Sequence, residues 1–328
     1  QTELDLSNMS IGGIDKGGID AAVLTDYFVN LETLNLNNNG LGGLPNLPGN
    51  LKVLKVENNK ITALPRLTSV MTELDCSGNQ IEELTDLPTT LVSLDVSGNP
   101  LKALISLPEG LKTLNVSDCG LSALITLPSG LEVLNASNNQ LAGLPDMPVA
   151  LKTLNVSNNM LPGLPALPEN LENLNLSNNQ LEGLAPFPKN LKTLDVSGNG
   201  LKALPDFPAE LVTLNASNNA LTSLPDLAPT ITELNLANNQ LTELPILPGN
   251  LVSLNIKGNK IDKILASQLP GTLVDFESDV EVTDDLTNDS GTTEEIENPA
   301  TGDGILFFVS LALISCFGAT FAYKKLHN

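Results

Sequence analysis

Apolar residues recur along most of the chain with a fixed period. From Leu31 to Asn250 the sequence divides into eleven consecutive units of 20 residues without insertion or deletion. Numbering each unit from 1 to 20, apolar residues stand at positions 1, 4, 6, 11, 14 and 17; in residues 151–170 these are Leu151, Leu154, Val156, Leu161, Leu164 and Leu167. Alternation of apolar and polar residues over positions 3–6 predicts one short strand per unit. Stacked units then form a parallel sheet with strands about 4.8 Å apart.

Position 9 is Asn in ten of the eleven units, and Cys119 is the exception. With the apolar positions it completes the pattern L-x-x-L-x-L-x-x-N/C-x-L, which resembles the leucine-rich repeat. The resemblance covers roughly residues 1–277. It predicts an α/β-type leucine-rich repeat solenoid, a horseshoe with a parallel concave β-sheet.

The position-9 residues are expected to have a structural role. A buried carboxamide both donates and accepts hydrogen bonds, so it can satisfy backbone groups where the chain turns away from each strand. We call this column the asparagine ladder, and its central members are Asn139, Asn159, Asn179 and Asn199.

Positions 15 and 18 are usually Pro, as in Pro145 and Pro148. Proline lacks an N–H donor and restricts the residue before it, so the returning limb should be extended and poor in helix. This short, Pro-rich unit resembles the repeats of certain secreted bacterial effectors.

The polar positions of the strands predict a candidate binding face. Position 5 lies on the concave side and presents a row of small polar side chains, at whose centre stand Asn115, Asn135, Asn155, Asn175, Asp195 and Asn215. Trp is absent and Arg66 is the only arginine, although both residue types favour protein hot spots. Two interpretations remain open: a shallow surface for extended ligands such as glycans or peptides, or a spacer without a specific partner.

The ends of the array depart from the period. Residues 1–30 form an irregular repeat with an insertion, in which Ile19, Val23, Tyr27 and Phe28 follow helical spacing and predict a short helix over about 18–28. The chain opens on Gln1 in the middle of a repeat, which is expected of a mature form or a fragment. The solenoid is expected over 31–277.

Composition excludes several functional classes. The net charge of −22 disfavours nucleic acid as a partner. His327, close to the C-terminus, is the only histidine, so the repeats have no imidazole for acid–base or zinc chemistry. Cys76 and Cys119 fall on ordinary repeat positions and are expected to be small core residues. We expect no enzyme activity, no cofactor and no metal site.

The C-terminal part of the chain has a different composition. Residues 278–297 are acidic and Thr-rich, which predicts a disordered linker. Residues 304–323 carry no charge and are long enough to span a bilayer as a helix. Lys324 and Lys325 follow at once, which places the repeats outside the cell.

The end of the chain, residues 298–328, resembles the cell-wall sorting signal of Gram-positive surface proteins. The segments concerned are the short motif Asn298, Pro299, Ala300, Thr301 and Gly302, the apolar span and the basic tail. The resemblance implies that sortase cleaves after Thr301 and joins it to peptidoglycan. Leucine-rich repeats followed by this signal resemble the internalins in the order of parts.

The sequence therefore predicts a cell-surface protein that mediates adhesion or binds a protein or glycan ligand. Sortase and peptidoglycan are its expected partners, and the extracellular cell wall is its expected location. The alternatives are a structural spacer that displays a missing N-terminal domain and a single-pass membrane protein with its repeats outside.

Overall fold

The computed structural model describes residues 1–12 and 23–285. Within them the chain forms one long parallel sheet of 14 strands in chain order. The strands are β1 Glu3–Asp5, β2 Thr33–Asn35, β3 Val53–Lys55, β4 Glu73–Asp75, β5 Ser93–Asp95, β6 Thr113–Asn115, β7 Val133–Asn135, β8 Thr153–Asn155, β9 Asn173–Asn175, β10 Thr193–Asp195, β11 Thr213–Asn215, β12 Glu233–Asn235, β13 Ser253–Asn255 and β15 Asp275–Glu277. Strand β14, Ile264–Leu265, belongs to a separate two-stranded sheet. The predicted parallel-sheet solenoid is confirmed.

Each strand residue lies opposite the residue at the same repeat position in the next unit. Leu154 of β8 lies opposite Leu174 of β9, and Leu174 lies opposite Leu194 of β10. Side chains at the same repeat position therefore form straight columns along the sheet. The columns at positions 1, 4, 6 and 11 make the core, and Leu151, Leu154, Val156 and Leu161 are all 0% exposed.

A tight turn follows each strand and requires a left-handed residue at position 8. Asn138, Asn158 and Asn178 have φ of 55–56°, and Gly198 has φ of 65°. Asn and Gly adopt this conformation at lower cost than other residues, which explains why position 8 is Asn, Asp or Gly in these repeats. The turn directs the chain inward, so position 9 enters the core.

The convex side is extended, as the prolines predict. Between one strand and the next the described repeats contain almost no helix, and the chain re-enters each strand through a bond such as Leu151 N–H to the Pro148 carbonyl, 3.1 Å.

The structure describes only the second half of the predicted N-terminal helix. The described part is one π-helical turn, Val23–Tyr27, and residues 13–22 lie outside the described residues. Leu24 is 1% exposed and Phe28 packs against the core, whereas Tyr27 is 81% exposed. Leu24 and Phe28, an i, i+4 pair, are therefore the residues of this segment that reach the core.

The C-terminal cap extends into the segment predicted as a linker. Val282–Thr283 (β16) pairs in parallel with Ile264–Leu265 (β14), which is followed by a 3₁₀ turn at Ala266–Gln268. The Ser267 hydroxyl donates to Asp285, 3.0 Å, and Val280 packs against the core. The predicted linker start at 278 is therefore wrong for residues 278–285, which shield the last coil. Residues 286–297 lie outside the described residues.

The predicted membrane span also lies outside the described residues. Across 1–12 and 23–285, no helix combines the length and apolar character needed to cross a bilayer.

Candidate binding face on the concave sheet

The six side chains of the predicted binding face form one column. They stand at position 5 of the neighbouring strands β6–β11, where Asn155, for example, lies between Asn135 and Asn175. Asn115 and Asn175 are buried, and the other four are half-buried. The column is therefore a recessed floor rather than a row of projecting groups.

Each of these side chains uses one oxygen to accept a hydrogen bond from the backbone turn that follows its strand. One side-chain oxygen at position 5 accepts from the backbone N–H of position 7, as in Asn155 to Ser157 (3.1 Å) and Asn175 to Ser177 (2.9 Å). The same bond recurs at Asp75, Asp95 and Asp195. Asn and Asp are common at such turns because their short side chains reach the backbone two residues ahead.

Acidic members of the column also bind the next coil. Asp95 accepts from the Asn115 amide nitrogen at 2.9 Å, and Asp195 accepts from the Asn215 amide nitrogen at 3.1 Å. Between these two pairs, the amide nitrogens of Asn135, Asn155 and Asn175 donate to no partner among the described residues.

The asparagine ladder lies beneath this floor. The amide nitrogen of Asn139 donates to Val116, Ala136 and Ser137 carbonyls at 2.8–3.1 Å, while its oxygen accepts from Leu121 N–H at 2.9 Å. Asn159, Asn179 and Asn199 make the equivalent bonds, with only Asn199 partly exposed. Each rung therefore joins consecutive coils and has no capacity left for a ligand.

Cys119 interrupts the ladder. Its thiol reaches the Val96 carbonyl at 3.4 Å and the Ser117 carbonyl at 3.3 Å, but it offers no carboxamide oxygen. Leu101 N–H, the group that would use that oxygen, turns to Asn99 O in its own coil, 2.8 Å away. Burial raises the pKa of Cys119 to about 11 and that of Cys76 well above its usual value, so neither thiol is a nucleophile at neutral pH.

Position 2 carries a row of charges along one rim of the floor. Glu132 pairs with Lys112 at 3.4 Å and Lys152 at 2.8 Å, and Glu172 pairs with Lys192 at 2.8 Å. Hydrogen bonding to Glu132 raises the pKa of Lys152, and hydrogen bonding to Lys152 lowers the pKa of Glu132. All five side chains reach solvent, so the pairs contribute little to stability.

An acidic region precedes the floor. Burial raises the pKa of Asp75, a bond from Ser77 opposes that shift, and the nearby charges of Asp95 and Glu57 add to it. Among the residues that the structure describes, no group of three or more His, Cys, Asp or Glu side chains could hold a metal ion. The motif Asn298–Gly302 lies outside that part of the chain.

Comparison with known proteins places this architecture in a family. Leucine-rich repeat profiles match residues 169–209, as two copies, and residues 30–51 and 230–251. No curated protein sequence matched the chain. The structure is similar to that of YopM from Yersinia enterocolitica WA-314 (39% identity, TM-score 0.75), covering 79% of this chain and 58% of that one. This chain thus spans less than two thirds of that relative.

Two further structures extend the comparison. YopM, a leucine-rich effector protein from Yersinia pestis, is 33% identical with a TM-score of 0.68, and the match covers 76% of this chain and 83% of that one. The functional domain of InlJ from Listeria monocytogenes is 23% identical with a TM-score of 0.63, covering 80% and 69%, and shares the fold. The repeat profiles, the asparagine ladder and the similarity to YopM together show that the chain belongs to the leucine-rich repeat family.

Proposed function

We propose that this protein is an extracellular adhesion or ligand-binding protein, joined to peptidoglycan through its C-terminus, that binds a partner protein on its concave sheet. Solenoids of this family mediate protein–protein interactions. The concave floor supports this assignment because it is continuous over many coils and carries donors that pair with none of the described residues.

The observation that carries the anchoring proposal is the order of parts at the end of the chain. Asn298–Gly302 stands just before an uncharged stretch, residues 304–323, and Lys324 and Lys325 follow. A lasting membrane anchor needs only the apolar stretch and the lysines, so the motif calls for a separate explanation. Recognition by sortase supplies it.

The chemistry makes Thr301 a substrate position. The sortase cysteine attacks the Thr301 carbonyl, the Thr301–Gly302 peptide bond breaks, and Gly302–Asn328 leaves with a new amino terminus. An amine of peptidoglycan then attacks the thioester, releases the cysteine and forms an amide with Thr301. The chain supplies the acyl group but no catalytic residue.

Mass spectrometry of wall digests tests this proposal. Muralytic digestion should release protein whose last peptide ends at Thr301 joined to a wall fragment. Thr301→Pro should leave the intact chain in the membrane fraction, whereas the matched control Thr292→Pro, in the same acidic stretch, should be processed normally. If Gly302–Asn328 stays attached in most of the mature protein, the anchor is a permanent membrane span instead.

A further inference from the structure

The middle of the concave floor contains hydrogen-bond donors that have no partner among the described residues. They are the amide nitrogens of Asn135, Asn155 and Asn175 and the hydroxyls of Ser157 and Ser177, which we call the central donor patch. Asn135, Asn155 and Asn175 occupy three successive strands in register, β7, β8 and β9. Their spacing along the sheet is therefore that of neighbouring strands, about 4.8 Å.

Serine hydroxyls at position 7 of other coils are paired, although the repeat is the same. The hydroxyls of Ser137, Ser197 and Ser217 donate to the position-5 side chain of their own coil at 2.6–2.8 Å. Ser157 and Ser177 make no such bond among the described residues. The free hydroxyls of Ser157 and Ser177 therefore distinguish their two coils from the coils on either side.

Three members of the patch are more than nine-tenths buried. Ser157 is 5% exposed, Ser177 is 7% exposed and Asn175 is 8% exposed. Among described residues that are not exposed, no fully enclosed side-chain nitrogen or oxygen lacks a hydrogen-bond partner, so the free atoms of the patch open onto the concave solvent. Water can pair with these recessed donors in the free protein, and a ligand that offers acceptors would displace that water and pair with them directly.

The patch is also uncharged within a strongly acidic chain. At positions 3, 5, 7 and 8 of β7, β8 and β9 and the turns after them, every side chain is neutral, whereas the chain has a net charge of −22. The position-5 oxygens are already used by the turns, so the patch presents mainly donors. Its electrostatic complement is a neutral acceptor rather than a cation or a carboxylate.

We propose that the central donor patch binds an extended, uncharged segment of a partner protein, whose backbone carbonyls accept from Asn155 and Asn175. Peptide carbonyls are strong neutral acceptors and recur along an extended chain. A glycan would present both donors and acceptors and would favour an aromatic platform, which these three strands lack. The inference rests on the proposed function in that it requires a protein ligand.

The chain itself supplies a conservative substitution. Asp195 accepts the same turn bond from Ser197 (2.9 Å) that Asn155 accepts from Ser157, so Asp at position 5 is compatible with the fold. The double variant Asn155→Asp and Asn175→Asp thus preserves the turns while replacing two donors by carboxylates. The double variant Asn35→Asp and Asn235→Asp makes the same chemical change at position 5 outside the patch and is the matched control.

The experiment selects short linear peptides from a phage-displayed library on the detergent-solubilised full chain and measures the affinity of synthetic copies by fluorescence polarisation. We expect uncharged peptides to be enriched. Their dissociation constants should rise roughly tenfold or more for the patch variant, through lost donors and repulsion of carbonyl oxygens, and stay unchanged for the control. Circular dichroism should show both variants folded.

The possible failures are distinguishable. Peptides that bind the wild type and the patch variant equally would overturn the inference and leave protein binding by the array intact. Absence of any enriched peptide, or binding of an immobilised glycan array that is lost in the patch variant, would overturn both the inference and the protein-binding part of the proposed function. Neither result bears on anchoring, which Thr301 tests separately.

Discussion

The amide nitrogen of Asn159 donates to the carbonyl of Ala136, 3.0 Å away in the preceding coil. The same nitrogen reaches Val156 and Ser157 carbonyls, and the oxygen accepts from Leu141 N–H at 2.9 Å. One buried side chain thereby satisfies the backbone of two coils at the place where the sheet ladder ends.

Asn159→Ala should destabilise the protein much more than Asn155→Ala. The first change leaves buried carbonyls and an N–H unpaired, at a cost of about 1–3 kcal/mol, whereas Asn155 loses one turn bond at the solvent edge. Urea unfolding monitored by circular dichroism measures the difference. Equal midpoints would show that the ladder carries no special stability.

Cys119→Asn should stabilise the array by about 0.5–1.5 kcal/mol, because a carboxamide would restore the acceptor that Leu101 N–H lacks in the next coil. Cys76→Val is the control for thiol removal alone, since Val already occupies position 6 in several units, as Val96 and Val156. Thermal unfolding under reducing conditions compares the two. A lower melting temperature for Cys119→Asn than for the wild type would refute the prediction.

Gly198→Ala should cost at least about 1–2 kcal/mol, because φ of 65° is left-handed and the Asn178 side-chain oxygen occupies the space of the new Cβ. Gly183→Ala is the contrasting change, since that glycine is outside the left-handed region and its Cβ would meet nothing within 4 Å. It should raise stability by about 0.4–1 kcal/mol. In chemical unfolding, Gly198→Ala should lower the free energy of unfolding and Gly183→Ala should raise it.

Asp75→Asn should stabilise the protein at neutral pH. Burial raises the pKa of this carboxyl, so the folded state disfavours its charged form. That penalty applies above the folded pKa and disappears as the pH falls below the ordinary value of 3.8. The advantage of Asn should therefore shrink between neutral pH and pH 3.

Asp195→Asn is its control, because Asp195 stands between Asn175 and Asn215 and has no acidic neighbour in its column. Unfolding curves recorded at several pH values compare the two variants. If the stability gained by Asp75→Asn instead grew as the pH fell, burial of the charged carboxylate would not be its cause.

The strict period explains how much of the fold could be predicted. Because each unit meets only its neighbours, the spacing of Leu151, Leu154 and Leu161 was enough to indicate strand, turn and core. The extended convex limb followed from its prolines for the same reason.

Other features depend on information that no periodic pattern contains. Alternation identifies Asn155 as a concave residue, but it does not reveal that its oxygen closes the turn to Ser157. The signal for this turn was the combination of Asn or Asp at position 5 with Asn, Asp or Gly at position 8. The cap at Val282–Thr283 was missed because its acidic surroundings resemble a linker, and its stability comes from pairing with Ile264–Leu265.

Agreement between repeat length and strand register has a consequence for how such a chain can change. Leu134, Leu154 and Leu174 stand directly opposite one another, so every internal unit presents to the next the same surface that it receives from the one before. The number of repeat units can therefore change without a change in the structure of any one unit. Gain or loss of a whole unit by unequal recombination alters the reach of the molecule while the interfaces on either side of the junction keep their geometry.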